Sequence, residues 1–356
     1  MSLFAVGSVL RHPAFAHFWL ARITTMMAYQ MLSVAVGWHI YELTNSALDL
    51  GLIGIAQFLP SIVLVLIVGH VADRYDRRRI ARITMSIGVL AALALCAASA
   101  TGRVTELAIY AVVFVIGAAR AFQNPAMQAL LPTLVPTHDL SRAVAASATA
   151  TQVATIAGPA IGGIAYALGP AAVYAMCAVL YGLGVVAMQR MRITQKIPAR
   201  EPPTLASLFA GIAYIRNDPV LLGAITLDLF AVFLGGATAL LPIYARDILH
   251  IGPWGLGVLR SATAVGALVM ALWLARHPLQ ANVGRTMFAA VAVYGVSTIV
   301  FGASTLVVLS FMALLVMGAA DMVSVVIRSS IVQLGTPDGM RGRVNAVNTM
   351  FIGASN

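Results

Sequence analysis

The chain has 356 residues, 60% of them hydrophobic and only 10% charged, with a formal net charge of +10. A soluble globular domain holds roughly 25% charged residues, so the composition argues against a water-soluble enzyme. The apolar residues come in unbroken blocks of about twenty, the length that crosses a bilayer core at 1.5 Å per residue, and they do not alternate as barrel strands do. We therefore expect an all-α polytopic membrane protein, with the positive charge serving orientation in the lipid bilayer instead of contact with nucleic acid.

The opening MSLFAVGSVLRHPAFAHF places its positive charge after the first apolar patch, the reverse of a signal peptide. The first span is predicted over 17–40. It contains Arg22, a candidate for an anionic substrate group or a snorkelling anchor, and Met27, a candidate lining residue with Met26 and Met31. His39 and Glu42 fall at its far end, where an interfacial role is expected. The second span, 48–70, runs straight into Gly69-His-Val-Ala-Asp73-Arg74-Tyr-Asp76-Arg77-Arg78-Arg79. Arginines crowded between two apolar runs hold that loop on the cytoplasmic side. Most of the 22 basic residues lie in loops sharing that side with the N-terminus, whereas Arg103 and Arg246 fall opposite.

Spans three and four are predicted over 80–100 and 105–127. The fourth carries Arg120-Ala-Phe-Gln123, and a charge at that depth is costly unless it faces a cavity or a partner. A backbone carbonyl or a lipid head group is the plainer partner. The fifth, 143–167, contains Gly158-Pro159-Ala-Ile-Gly162-Gly163, where the proline bends the helix and the glycines admit a neighbour. The sixth is 170–189. Cys96 and Cys177 sit inside apolar runs, and nothing has metal-ligand spacing.

A polar stretch follows, with Leu205, Leu208, Phe209, Ile212 and Ile215 on one helical face, Thr204 as a cap and Pro219 beyond its end. It is predicted to be a cytoplasmic linker whose helix lies on the membrane surface. Spans seven to ten are 220–243, 254–275, 286–304 and 306–328. Asp228 and Phe230 lie in the seventh, Arg260 in the eighth, Asp321 and Arg328 in the tenth. A carboxyl in hydrocarbon that is neutral when protonated can bind and release a proton, so Asp228 and Asp321 are proton-coupling candidates with Arg120. The plainer alternative is a structural ion pair, Asp321 with Arg328 two turns on or with Arg260. An eleventh span begins near Val344.

Gly117-Ala-Ala-Arg120 recurs as Gly318-Ala-Ala-Asp321, and Pro136 through Arg142 recurs at the same offset as Pro337 through Arg343. Span four thus corresponds to span ten. Two pseudo-symmetric six-helix bundles are expected, 1–190 and 220–356, joined by the linker 191–219. The second would be incomplete, with ten full spans and the start of the eleventh in the chain. A bundle lacking helix faces is expected to be inactive.

The loop of Gly69, Asp73, Arg74, Arg77 and Arg78 resembles the signature G-x-x-x-D-R-x-G-R-R/K of the major facilitator superfamily, with Asp76 in place of its glycine. Arg120 and Gln123 resemble its R-x-x-Q-G pattern, with Asn124 for the glycine. Gly158, Pro159, Gly162 and Gly163 resemble its antiporter motif, with Ala154 for an upstream glycine. HPAFAHFWLAR, ADRYDRRR, LDLFAVFLGGATALLPIYARDIL and GMRGRVNAVNTMFIGASN resemble its enterobactin-exporter-like branch of bacterial efflux proteins. The resemblance implies a secondary transporter of the bacterial inner membrane, N-terminus in the cytoplasm and monomeric. It would export a siderophore or a hydrophobic drug-like small molecule by alternating access, driven by the proton gradient without a cofactor or metal. The arginine loop would then be a cytoplasmic latch, and Arg22, Met27, Gln123, Phe230 and Arg260 would be substrate-binding candidates. An importer of the same fold and a non-transporting receptor or scaffold are the alternatives. The in-span charges count against the scaffold, and no nucleophile, acid and base set supports a membrane enzyme.

Overall fold

The computed structural model describes residues 9–64, 67–68, 71, 74–191, 213–234, 238–277, 282–337 and 344. Among them there is no strand. Ten long helices occur in chain order: α1 Pro13–Thr44, α2 Ala47–Val63, α3 Arg77–Ala100, α4 Glu106–Leu130, α5 Leu140–Tyr166, α6 Pro170–Arg190, α7 Pro219–Leu234, α8 Gly252–Arg276, α9 Val283–Ala303 and α10 Val307–Gly335. Gly69, Asp73, most of the expected linker and the expected eleventh span beyond Val344 lie outside the described residues.

Local chemistry sets the boundaries. Pro13 opens α1, because the first helical position has no amide bond to lose. Asn45 closes it in the left-handed conformation (φ 51°), its amide donating to the Tyr41 carbonyl. Side-chain oxygens accept the unpaired first-turn amides elsewhere: Ser46 from Asp49, Thr105 from Ala108, and Asp218 from Val220 and Leu221. Asp76, the departure from the loop signature, is the cap of α3 and accepts from the Arg78 amide at 2.8 Å. The substitution therefore starts a helix where a glycine would only have turned the chain.

Seven of the helices, α3 to α6 and α8 to α10, are long and apolar enough to cross a membrane among the described residues; α2 and α7 are shorter apolar helices. α1 has 32 residues and falls outside that group on composition. Large apolar side chains are turned outward, among them Leu90 at 68%, Phe288 at 66% and Ile299 at 72% exposure. Such surfaces are unfavourable in water and neutral against lipid.

The chain forms two compact units, Met1–Pro202 with Ile251–Gly257, and Pro203–His250 with Val258–Asn356. In the first, α1 packs on α5 and α6, α3 on α4 and α6, and α2 on α4. Phe15, Phe18, Met85, Leu130 and Met188 close one end of this unit as a fully buried or nearly fully buried cluster. In the second, α9 packs along α10, and α7 contacts both. Gly266 of α8 sits against the Leu315 carbonyl and Gly318 of α10 against that of Thr263. A side chain at either position would hold α8 and α10 apart, which is why small residues mark the crossing.

Candidate transport site

In the first unit the polar residues predicted on α1 and α4 converge. Arg22, Met26 and Tyr29 follow one another at helical spacing on α1. Arg120 of α4 lies over the Tyr29 ring, its Cζ 3.4 Å from the ring centroid, and its Nη1 donates to Met26 Sδ at 3.7 Å. Arg22 Nε donates to Thr151 Oγ1 of α5 at 3.1 Å, so Arg22 is tied inward instead of extending towards head groups. Gln123, 9% exposed, donates to Thr25 Oγ1 at 3.4 Å. Arg120 thus takes a thioether and an aromatic face where a backbone carbonyl or lipid was the plainer expectation. Tyr29, Thr25 and Thr151 escaped the sequence reading, although the seven-residue step from Arg22 to Tyr29 was a visible signal.

The antiporter-like motif supplies the close approach beside this cluster. Gly162 faces the Met31 backbone, where an added Cβ would come within 2.8 Å of its Cα, and Gly158 faces Gln30 and the Met27 carbonyl. Met27 itself is half-buried. Gly163 meets the Pro253 carbonyl and Gly257 the Pro159 carbonyl, Ile251–Gly257 being part of the same unit. Pro159 and Ala154 are buried within α5.

In the second unit, a small cavity is lined by Asp228, Tyr294, Asp321 and Ser324, with small apolar side chains of α7, α9 and α10 between them. Arg328 of α10 forms an ion pair with Asp228 of α7, both almost completely buried. Ser324 donates to Asp228 Oδ1 at 2.8 Å. This corrects the expected pairing of Arg328 with Asp321. Seven residues along a helix amount to about 10.5 Å of rise, and the carboxylate across the α7–α10 contact is nearer. Asp321 has no ion-pair partner among the described residues and lies beside Tyr294. Ser324 was missed, although it falls between Asp321 and Arg328 on one face of a largely apolar helix. Arg260 is half-buried on α8, and Phe230 is 60% exposed on α7; neither lines the cavity.

The arginine loop is engaged inside the first unit. Arg77 Nη1 donates to the Ala129 carbonyl in the last turn of α4 at 3.3 Å. Arg78 forks onto α6, Nε to Met188 O at 2.8 Å and Nη2 to Gln189 O at 2.7 Å. Helix C-termini present unpaired carbonyls and partial negative charge, so each guanidinium satisfies both. Arg74 is exposed. Nearby, Asp139 gathers Arg142 at 3.0 Å, His12 at 3.4 Å and His138 at 3.5 Å. At the other end of α1, His39 is buried where an interfacial position was expected, with Nδ1 2.9 Å from the Tyr174 hydroxyl. Glu42 accepts from Tyr166 at 2.7 Å.

A family described as transmembrane secretion effector matches residues 5–355. The chain is 26% identical over 348 residues to the enterobactin exporter EntS of Citrobacter koseri, covering 95% of this chain and 81% of the relative. It is 27% identical over 346 residues to the Shigella flexneri protein of the same name, with the same shares covered. Its fold is similar to that of the nucleoside transporter NupG (TM-score 0.70, 14% identity, 96% of this chain and 87% of that one). It is also similar to that of a bacterial homologue of the iron transporter ferroportin in its inward-facing state (TM-score 0.69, 15% identity, 100% and 90%). The chain belongs to the transmembrane secretion effector family, multi-pass membrane transporters of the major facilitator superfamily and not enzymes.

Proposed function

We propose that the protein exports small molecules from the bacterial cytoplasm across the inner membrane in exchange for protons, with a siderophore or a hydrophobic drug-like compound as cargo. The names of the relatives and the glycine–proline motif of α5 support export. The ten helices would span the membrane with the N-terminus inside, and an eleventh would begin near Val344. Residues 1–190 and 220–356 would act as two helix bundles, joined by 191–219, that rock about a site near the midplane to expose it alternately to either side.

The observation that carries proton coupling is the contrast between Asp228 and Asp321. Asp228 is committed to Arg328 and Ser324, and neutralising it would leave a buried guanidinium uncompensated, a loss of about 3–5 kcal/mol. Asp321 lacks an ion-pair partner among the described residues, so protonation there removes an isolated charge and breaks no pair. Asp321 is accordingly the proton-binding carboxyl, and Asp228 with Arg328 is its fixed surroundings. The membrane potential supplies about 2.3 kcal/mol per charge per 100 mV. Proton binding from outside favours cargo release there, and proton loss inside resets the carrier.

The test is uptake of enterobactin and of neutral and charged hydrophobic dyes into inside-out membrane vesicles whose lumen is made acidic. An exporter accumulates one of these in the lumen and loses the accumulation when a protonophore is added. Accumulation only in right-side-out vesicles would replace this reading with import.

A further inference from the structure

Two cations of the first unit have no anion paired with them among the described residues. Arg120 reaches Met26 of α1, one helical turn beyond Arg22 on the same helix, and both arginines are half-buried; no carboxylate pairs with either among the described residues. Their contacts are neutral: a threonine hydroxyl for Arg22, a thioether and a tyrosine ring for Arg120. A guanidinium carries five N–H donors, and each of these uses one in a hydrogen bond. Two like charges in a low-dielectric interior destabilise one another unless something compensates them. Purely structural arginines would be expected to meet carboxylates or helix-end carbonyls, as Arg328, Arg77 and Arg78 do.

The geometry points to an anion subsite at Arg22 and Arg120 that takes the carboxylate of a flat aromatic acid. A carboxylate matches the guanidinium fork with two parallel N–H···O bonds. Tyr29 covers one face of Arg120, so an oxyanion meets the edge of the guanidinium. Tyr29 and Met26 beside it supply a flat, adaptable apolar surface for the ring that bears the carboxylate. An arriving acid neutralises the repulsion and satisfies donors at once, and a neutral isostere leaves both uncompensated. Gln123, held by Thr25, adds a polar wall on the α4 side. This inference rests on the export reading and deepens it by naming the chemical class of the cargo.

Binding is measured on the purified protein in a neutral detergent, by fluorescence anisotropy of naphthalene-1-carboxylate against its amide and against 1-naphthylmethylammonium. The carboxylate is expected to bind at least tenfold more tightly than either. Arg120→Gln and Arg22→Gln are each expected to erase that preference while leaving the weak amide binding. Arg120→Lys and Arg22→Lys keep the charge, guard against loss of fold, and are expected to retain the preference at reduced affinity. Equal binding of the three probes, or a preference unchanged in both glutamine variants, overturns the inference. Anion-selective binding without proton-driven uptake in the vesicles removes only the export reading; uptake of cationic probes without anion preference removes only this one.

Discussion

Arg328 on α10 reaches across to Asp228 on α7, while Asp321, on its own helix, has no ion-pair partner among the described residues. The pair and the lone carboxyl have opposite consequences for substitution. Arg328→Gln leaves Asp228 ionised and buried, and it is expected to destabilise the second unit by about 3–5 kcal/mol. Asp228→Asn with Arg328→Gln removes both charges and is expected to recover most of the loss. Thermal melts of the four members of this cycle, followed by gel filtration in detergent, measure the coupling.

The glycines of α5 make a steric prediction. A methyl at Gly162 meets the Met31 backbone, whereas a Cβ at Gly182 on α6 finds nothing within 4 Å. Gly162→Ala is expected to lose about 1–3 kcal/mol through overpacking, and Gly182→Ala to lose nothing measurable. Melting of the two variants side by side separates a packing role of the motif from a general preference for glycine.

Arg78 and Arg79 are adjacent and chemically alike, yet they differ in contacts. Arg78→Gln removes two charged hydrogen bonds from the end of α6, each worth about 1.5–3 kcal/mol at most. Faster amide hydrogen exchange in the last turn of α6 is expected. Arg79 is exposed, and Arg79→Gln is expected to leave that exchange unchanged.

Topology is tested by labelling. In a background without Cys96 and Cys177, Arg77→Cys is expected to react with an impermeant maleimide only in inside-out vesicles, and Arg103→Cys only in right-side-out ones. Labelling of both from one face contradicts the proposed orientation.

The helices were legible because hydrophobic blocks and their breakers are local. Each of the ten full predicted spans overlaps a helix among the described residues, and the ends shift: Pro13 begins α1 before residue 17, and α10 continues to Gly335 beyond residue 328. The charges inside spans were legible as well, since an Arg or Asp among apolar residues stands out. Their partners were not. The partner of Arg328 depends on which helix packs against α10, and sequence distance favoured Asp321 over Asp228. The cation–π contact of Arg120 likewise depends on the α1–α4 crossing, although the stripe of Arg22, Met26 and Tyr29 lay in plain view. The partners of His39 were not legible either, because Tyr174 and Tyr166, which enclose it, come from other helices.

The proton role of Asp321 is tested most directly in inside-out vesicles with an acidic lumen, where cargo added outside drives protons out and restores the fluorescence of a quenched pH dye. The Asp321→Asn protein is predicted to bind cargo and release no protons. Undiminished cargo-driven proton release from that variant would contradict the account.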